Sequence, residues 1–365
     1  MAPAVLLIFI ILLLVNTGSI ILNAPLKAAK LFPAILILGD STVDTGNNNY
    51  IATLFKGNHP PYGRDFPGQV PTGRFSNGKL VPDFIASAFG IKETVPPFLE
   101  PDLKDRELRT GVSFASGGSG FDDLTTAASG VIPMSKQLEY LEKYIQRLNK
   151  MVGEEEAKNI LRGALVIISA GTNDFTFNFY DIPTRRIQFT ISEYQDFLLG
   201  RLRDLTLQLY DLGCRKIAVT GLPPVGCLPI QMAAKFKNPE DRKCLEDENL
   251  HARIYNHKLA NLLPQIQSVL PKSKIAYADV YQPMIDMINH PWKYGFLETK
   301  KGCCGTGYVE AGPLCNVLTP TCYNSSQYLF WDSIHPSESA YYYISLFLEE
   351  QVLPQLFLYN STNEY

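Results

Sequence analysis

The sequence is poor in histidine, with five among 365 residues: His59, His251, His257, His290 and His335. None belongs to a His-Glu-x-x-His motif, which excludes the zinc-protease helix. No serine stands in Gly-x-Ser-x-Gly, so the nucleophile elbow of the α/β-hydrolases is missing. The seven cysteines include no pair of Cys-x-x-Cys units, which argues against a structural zinc site. Acidic and basic residues nearly balance. A net charge of −3 gives no electrostatic reason to bind nucleic acid or an anionic membrane surface. There is no internal repeat, low-complexity tract or linker. Only one long apolar run occurs, and it lies at the N-terminus.

That run covers residues 4–15, the length of a signal-peptide core and too short for a membrane helix, which needs roughly 20 apolar residues. Asn16-Thr17-Gly18-Ser19 interrupts it, although Ile20-Ile21-Leu22 resumes the apolarity and leaves a signal anchor as the alternative. The expected organisation is a signal peptide over residues 1–28, cut between about Gly18 and Ala29, and a single domain over 29–365. No stable membrane span remains after its removal, and the product is secreted. Cysteines in an exported chain read as disulfides, with an odd one left over. Asn324-Ser325-Ser326 and Asn360-Ser361-Thr362 have the form of glycosylation acceptors, which makes Asn324 and Asn360 candidates.

What is present is alternation. Short apolar runs at 35–38, 112–115, 165–169, 216–220 and 274–278 are bounded by Gly, Pro, Asp or Asn, as buried strands are. Near-continuous apolarity predicts strands covered on both faces. Helical stretches lie between them. Leu198, Leu202, Leu205, Leu209 and Leu212 make one stripe, after a capping box read as Ser192 to Gln195 and before Gly213 as the stop. Residues 137–151 are a second amphipathic stretch. This order predicts a three-layer α/β/α fold with a central parallel sheet of about five strands.

In such a sheet, ligands bind beyond the carboxyl ends of the strands. Gly39-Asp40-Ser41-Thr42 follows the first run, Ser116-Gly117-Gly118-Ser119-Gly120 the second, and Gly171-Thr172-Asn173-Asp174 the third. A serine nucleophile needs a base, and the base an orienting carboxylate. Only His335 has one at Asp-x-x-His spacing, in Asp332-Ser333-Ile334-His335-Pro336. The same segment also reads as a plain helix boundary, with Pro336 in the first turn. Gly73 to Lys79 matches Gly-x4-Gly-Lys, but Leu80 replaces the hydroxyl residue of a phosphate loop. The Pro- and Gly-rich segment 59–79 is either the wall of a binding site or a surface excursion packed by Tyr62, Phe66 and Phe75. Asp40, Asp44, Asn47, Asn48 and Asp174 are expected to support turns and loops.

Four blocks together resemble the plant-type GDSL esterase/lipases of the SGNH hydrolase superfamily. They are Leu38 to Asn48, Gly111 to Gly120, Gly171 to Asp174, and Asp332 to Pro336. The resemblance implies a flavodoxin-like fold and a carboxylic ester hydrolase. It implies Ser41 as nucleophile, His335 as base and Asp332 as its partner. It also implies an oxyanion hole from the Ser41 and Gly118 amides and the Asn173 side chain, with no metal or organic cofactor. Thr42 stands where the name-giving motif has Leu. Ser113 stands where many members have Asn, which leaves Gly117 as the alternative to Gly118. The substrate would be a lipid or an acylated cell-wall or small-molecule ester. An acyltransferase using the same residues and a non-catalytic secreted binding protein are the rival readings.

Overall fold

Strand β1 (Ile35–Gly39) is buried along its whole length. Burial of an Ile or Leu side chain stabilises by about 1.5–3 kcal/mol, so a run of four fixes its place in the core. The computed structural model describes residues 31–357 apart from Ala128. The expected signal peptide and Asn360 therefore lie outside the described residues.

β1 pairs in parallel with β2 (Leu165–Ser169), which pairs with β3 (Lys216–Thr220), which pairs with β4 (Lys274–Ala278). These four coincide with apolar runs of the sequence. The run at 112–115 lies on the other side of β1. It makes a parallel ladder there, with Ile37 N donating to Val112 O at 3.1 Å and Phe114 N to Ile37 O at 2.7 Å. It also bonds to the segment around Pro97, with Phe98 N donating to Ser113 O at 2.9 Å and Ser113 N to Pro96 O at 3.0 Å; Pro96 faces the run and has no N–H to extend the pairing, so only a bridge forms. The sheet is thus four regular strands plus one bridged fifth.

Chain direction sets the layers. From β1 the chain goes outward to 112–116, then back past β1 to β2, β3 and β4. Parallel crossovers are right-handed, so a reversal of direction moves the connecting helix to the other face. Helix α1 (Val81–Ala88) lies in the first connection. Helices α2 (Met134–Val152), α3 (Glu154–Gly163), α4 (Ile191–Asp211) and α5 (Glu246–Ser268) lie in the reversed ones. After β4, α6 (Tyr281–Asn289) and α7 (Glu338–Gln351) complete the first face. Packing agrees: α7 touches α1 and α6, while α2 touches α3 and α4, and α4 touches α5. The fold is a three-layer, doubly wound α/β structure with flavodoxin-like strand order.

α4 buries Leu198, Leu202, Leu205 and Leu209, the stripe read from the sequence, and Gly213 follows with φ +104°. Its capping box is shifted from the expected position. Thr190 is the cap, and Glu193 is the residue that reaches back to it. Ser192 already lies inside the first turn, so its hydroxyl cannot meet a first-turn N–H.

A second, two-stranded sheet of β5 (Glu298–Gly302) and β6 (Tyr328–Phe330) matches none of the apolar runs of the sequence. β5 reads Glu-Thr-Lys-Lys-Gly and carries no apolar signal. Cystines Cys303–Cys322 and Cys304–Cys315 staple the chain between these strands, and Cys227–Cys244 closes a third loop. Cys214 is the odd, buried thiol. No helix among the described residues is long and apolar enough to cross a membrane.

Candidate active site

The reversal of winding falls at β1, and ligand crevices form at such switch points. Ser41 lies two residues beyond β1. Gly39 has φ +149°, and a Cβ there would stand 2.0 Å from the Ser169 carbonyl oxygen, so the turn requires glycine. Gln137 of α2 clamps this glycine, accepting from its N–H at 2.8 Å and donating to its carbonyl at 2.9 Å. Asp40 accepts from the Thr42 N–H and hydroxyl at 2.9 and 2.7 Å. Burial pushes the Asp40 carboxyl up to about 6, against these hydrogen bonds and the nearby His335. Thr42, in the place of the motif's Leu, thereby adds a hydroxyl that ties the turn together.

Asp332, Ile334 and His335 follow β6. Asp332 Oδ1 accepts the N–H groups of Ile334 and His335 at 2.8 and 2.7 Å. Its Oδ2 accepts from His335 Nδ1 at 2.7 Å and from the Tyr62 hydroxyl at 2.7 Å. Four donors thus fix the carboxylate. His335 Nε2 lies 2.8 Å from Ser41 Oγ, across 294 residues of sequence. The bond to Asp332 selects the tautomer with Nδ1 protonated, which leaves Nε2 as acceptor for the Ser41 hydroxyl. Ser41 is 6% exposed, His335 4% and Asp332 0%, so the array is shielded from water on most sides.

Two residues of the 59–79 segment complete this half. The Phe75 ring lies 5.1 Å from the His335 ring, centre to centre. Tyr62 takes a hydrogen bond from Gly312 N–H at 2.7 Å while donating to Asp332. Burial, then the Asp332 charge, raises its pKa well above the ordinary value, so it stays a donor. The segment is therefore both packed and part of the wall. Tyr62 was legible as a packing residue only; its partner lies 270 residues away and no local spacing announces it. Within the Gly73–Lys79 stretch, Arg74 is held by Asp83 at 2.7 Å, a structural use.

Asn173 follows β2, and its Nδ2 donates to Ser119 O at 2.8 Å. That bond uses one amide hydrogen and leaves the other for a ligand. Gly117 donates its N–H to Asp44 Oδ2 at 2.9 Å. The Gly118 and Ser41 N–H groups have no protein acceptor among the described residues. Gly118 has φ +91° and lines one cleft with Ser41, Asn173 and His335. Asp44 also accepts from Gly46 and Asn47. Asn47 and Asn48 bond the 113–117 backbone and the chain at Phe55, so these residues support loops. Asp174 accepts from Phe121 N, Asp122 N and the Thr125 hydroxyl, and burial pushes it up to about 7.

The other histidines have other partners. His59 bonds the carbonyls of Lys56 and Pro60, His251 the Tyr180 hydroxyl, His257 Asn261 and His290 Asp286. No cluster that could hold a metal occurs among the described residues. Asn324 is exposed, and its side chain accepts from Ser326 N–H.

A family match over most of the chain defines the class: the protein is a carboxylic ester hydrolase. Residues 35–346 match the model of the GDSL-like lipase/acylhydrolase family. The chain is 57% identical over 324 residues to the Arabidopsis thaliana protein named GDSL esterase/lipase At2g30310, covering 88% of this chain and 90% of that one. It is 52% identical over 332 residues to GDSL esterase/lipase At1g06990 of the same plant, covering 91% and 92%. It is 48% identical over 327 residues to GDSL esterase/lipase At2g40250, also from Arabidopsis thaliana, covering 88% and 90%. The chain belongs to the GDSL-like lipase/acylhydrolase family.

Proposed function

We propose that the protein is a secreted serine esterase that works through an acyl-enzyme on Ser41, from a single domain that begins near residue 29 after signal removal. The observation that carries this reading is the buried relay of Ser41, His335 and Asp332, joined by bonds of 2.8 and 2.7 Å. Ser41 Oγ attacks the ester carbonyl carbon as His335 Nε2 takes its proton. Asp332 stabilises the imidazolium and keeps its own negative charge. The carbonyl oxygen, now negative, is met by the amides of Ser41 and Gly118 and by Asn173 Nδ2. Gly118 is favoured over Gly117 because Asp44 already holds the Gly117 N–H. The tetrahedral adduct collapses, the alkoxide leaves, and His335 returns the proton to it. Water then attacks the acyl-enzyme, with His335 again as base, and releases the acid. The substrate is an ester of a lipid or of an acylated cell-wall component or small molecule. Asn324 is exposed and open to glycosylation.

Labelling by a fluorophosphonate, with loss of fluoride and formation of a Ser41 Oγ–P bond, tests the nucleophile. Wild type is expected to label and Ser41→Ala to lose both label and ester hydrolysis. Equal labelling of Ser41→Ala would place the nucleophile elsewhere. Asn173→Ala is expected to lower kcat about 10²–10³-fold, the usual loss for one oxyanion donor; near-normal turnover would remove Asn173 from the site. N-terminal sequencing of protein recovered from the medium tests export and the cut.

A further inference from the structure

Helix α7 carries large side chains on both of its faces. Tyr341, Ile344 and Leu348 turn inward, are buried, and border the cavity beside Ser41. Tyr342, Tyr343 and Phe347 turn the other way. Tyr343 and Phe347 are half-buried, and Tyr342 is 44% exposed. A surface helix ordinarily gives its outer face to polar residues. Here the outer rings line a groove, together with Phe84 of α1 and Tyr294 of the short helix Pro291–Tyr294. Ring centres follow one another at 5.4 Å from Phe84 to Tyr342, 5.7 Å from Tyr342 to Tyr343 and 5.0 Å from Tyr343 to Tyr294. Trp292, in the same short helix as Tyr294, is 78% exposed, whereas the other tryptophan of the chain, Trp331, is buried. Large rings left open to water in one place mark a binding surface.

The charges of the groove say what kind of ligand fits. Its wall holds Lys79 and Lys293 against Glu338 and Asp286. Glu338 accepts the Lys79 N–H at 2.8 Å. Asp286 accepts from Lys293 Nζ at 2.9 Å and from the Tyr294 hydroxyl. Opposite charges cancel, so no patch of one sign remains to draw a phosphate or an acidic chain. Neutral polar tips do remain. The hydroxyls of Tyr342, Tyr343 and Ser339 and the side-chain amide of Gln282 have no protein hydrogen-bond partner among the described residues.

A hydrocarbon laid over these rings would strip water from the polar tips and pair none of them. A sugar ring offers both of the surfaces required: a C–H face to lie on an aromatic ring and hydroxyls at its rim to meet the tips. The ring spacing is close to the rise of one sugar unit along a chain, so successive units can stack in turn. We propose that this groove is an accessory site for an uncharged polysaccharide chain. It lies on the opposite side of α7 from the cavity beside Ser41, and it holds the polymer without taking part in chemistry. The site goes beyond the esterase reading and does not depend on the role of Ser41.

Calorimetric titration with xylohexaose, cellohexaose and mannohexaose tests the site, with hexagalacturonate as the charged control. At least one neutral chain is expected to bind with Kd on the order of 0.1–1 mM, and hexagalacturonate about tenfold more weakly than that chain. Tyr342→Ala and, separately, Tyr343→Ala are expected to raise the Kd about tenfold, as loss of an aromatic anchor does. Tyr342 is exposed, so its truncation leaves the fold in place; circular dichroism and Tm check both variants. Tyr50→Ala, at an exposed ring outside the groove, is expected to leave the Kd within about twofold. The proposal is overturned by the absence of binding heat from all three neutral chains at about 10 mM. It is also overturned by tighter binding of hexagalacturonate, or by an unchanged Kd in both groove variants. Sedimentation without sugar covers the remaining occupant: a wild-type dimer that Tyr342→Ala dissociates would assign the groove to a second copy of the chain and overturn the proposal. Failure of the esterase reading shows elsewhere, in the fluorophosphonate labelling, and leaves these titrations unchanged.

Discussion

Ser41 stands at the end of a strand buried on both faces, whereas His335 stands in a loop that leaves a two-stranded sheet whose connection carries two cystines. The first half is positioned by the central sheet and by buried side chains that hold backbone: Gln137 on Gly39, Asp44 on Gly117, and Asp174 on Phe121 and Asp122. The second half has little sheet to lean on. Cys303 N and Cys304 N donate to the carbonyls of Phe330 and Trp331, and each of these cysteines is also tied covalently to a later residue. Tyr62 crosses from the far loop to pin Asp332. One half is thus held by noncovalent core packing and the other by covalent staples and long-range hydrogen bonds.

The largest break of this contrast is expected at Asp332. Asp332→Asn should lower kcat about 10⁴-fold, because the amide imposes the wrong histidine tautomer while keeping the shape. Steady-state kinetics with an unchanged melting temperature would locate the loss in chemistry. Next is the pH response of the half that carries Ser41. Asp174 has its folded pKa raised to about 7 from 3.8, so its charge costs stability above that range and the cost vanishes as pH falls to 4. Asp174→Asn removes this titration. Between pH 4 and pH 8 the variant should gain on wild type by on the order of 4 kcal/mol in unfolding free energy. Urea melts at several pH values measure it; parallel curves would remove Asp174 from the account. The paired substitution Cys304→Ser with Cys315→Ser should cost about 3 kcal/mol by loss of a short closed loop. The activity of that variant should melt away at lower temperature than its far-ultraviolet circular dichroism, because the half that carries His335 loosens before the central sheet. Coincident transitions would show that the halves are one cooperative unit. The smallest effect is expected for Tyr62→Phe, about tenfold in kcat with KM little changed, as for one hydrogen bond to a charged group.

The same contrast governs what could be read from the sequence. Ile35–Gly39 and Leu165–Ser169 announce themselves because strands covered on both faces must be apolar throughout. The run at 112–115 was readable for the same reason, though its neighbour Pro96 leaves it irregular. β5 was not readable, since Glu298 to Lys301 carry no hydrophobic pattern. Ser41, Asn173, Asp332 and His335 were visible as short motifs whose spacing is local. Gln137 and Tyr62 were not visible as parts of the site. Their partners lie 98 and 270 residues away, and nothing in an amphipathic helix or a Pro-rich loop marks one polar side chain as a clamp.

The hydrogen bond between His335 and Ser41 spans 294 residues, nearly the whole described chain. Closing a flexible loop of that length costs about 5 kcal/mol of chain entropy. The pair is therefore not held by local bias and meets only once β1, the crossovers and the stapled lobe are all in place. In terms of contact order, the chemistry rests on one of the longest-range contacts in the molecule. Under the proposed mechanism, ester hydrolysis is thus a readout of completed folding: a chain cut before His335 keeps Ser41 but lacks the group proposed to serve it as base.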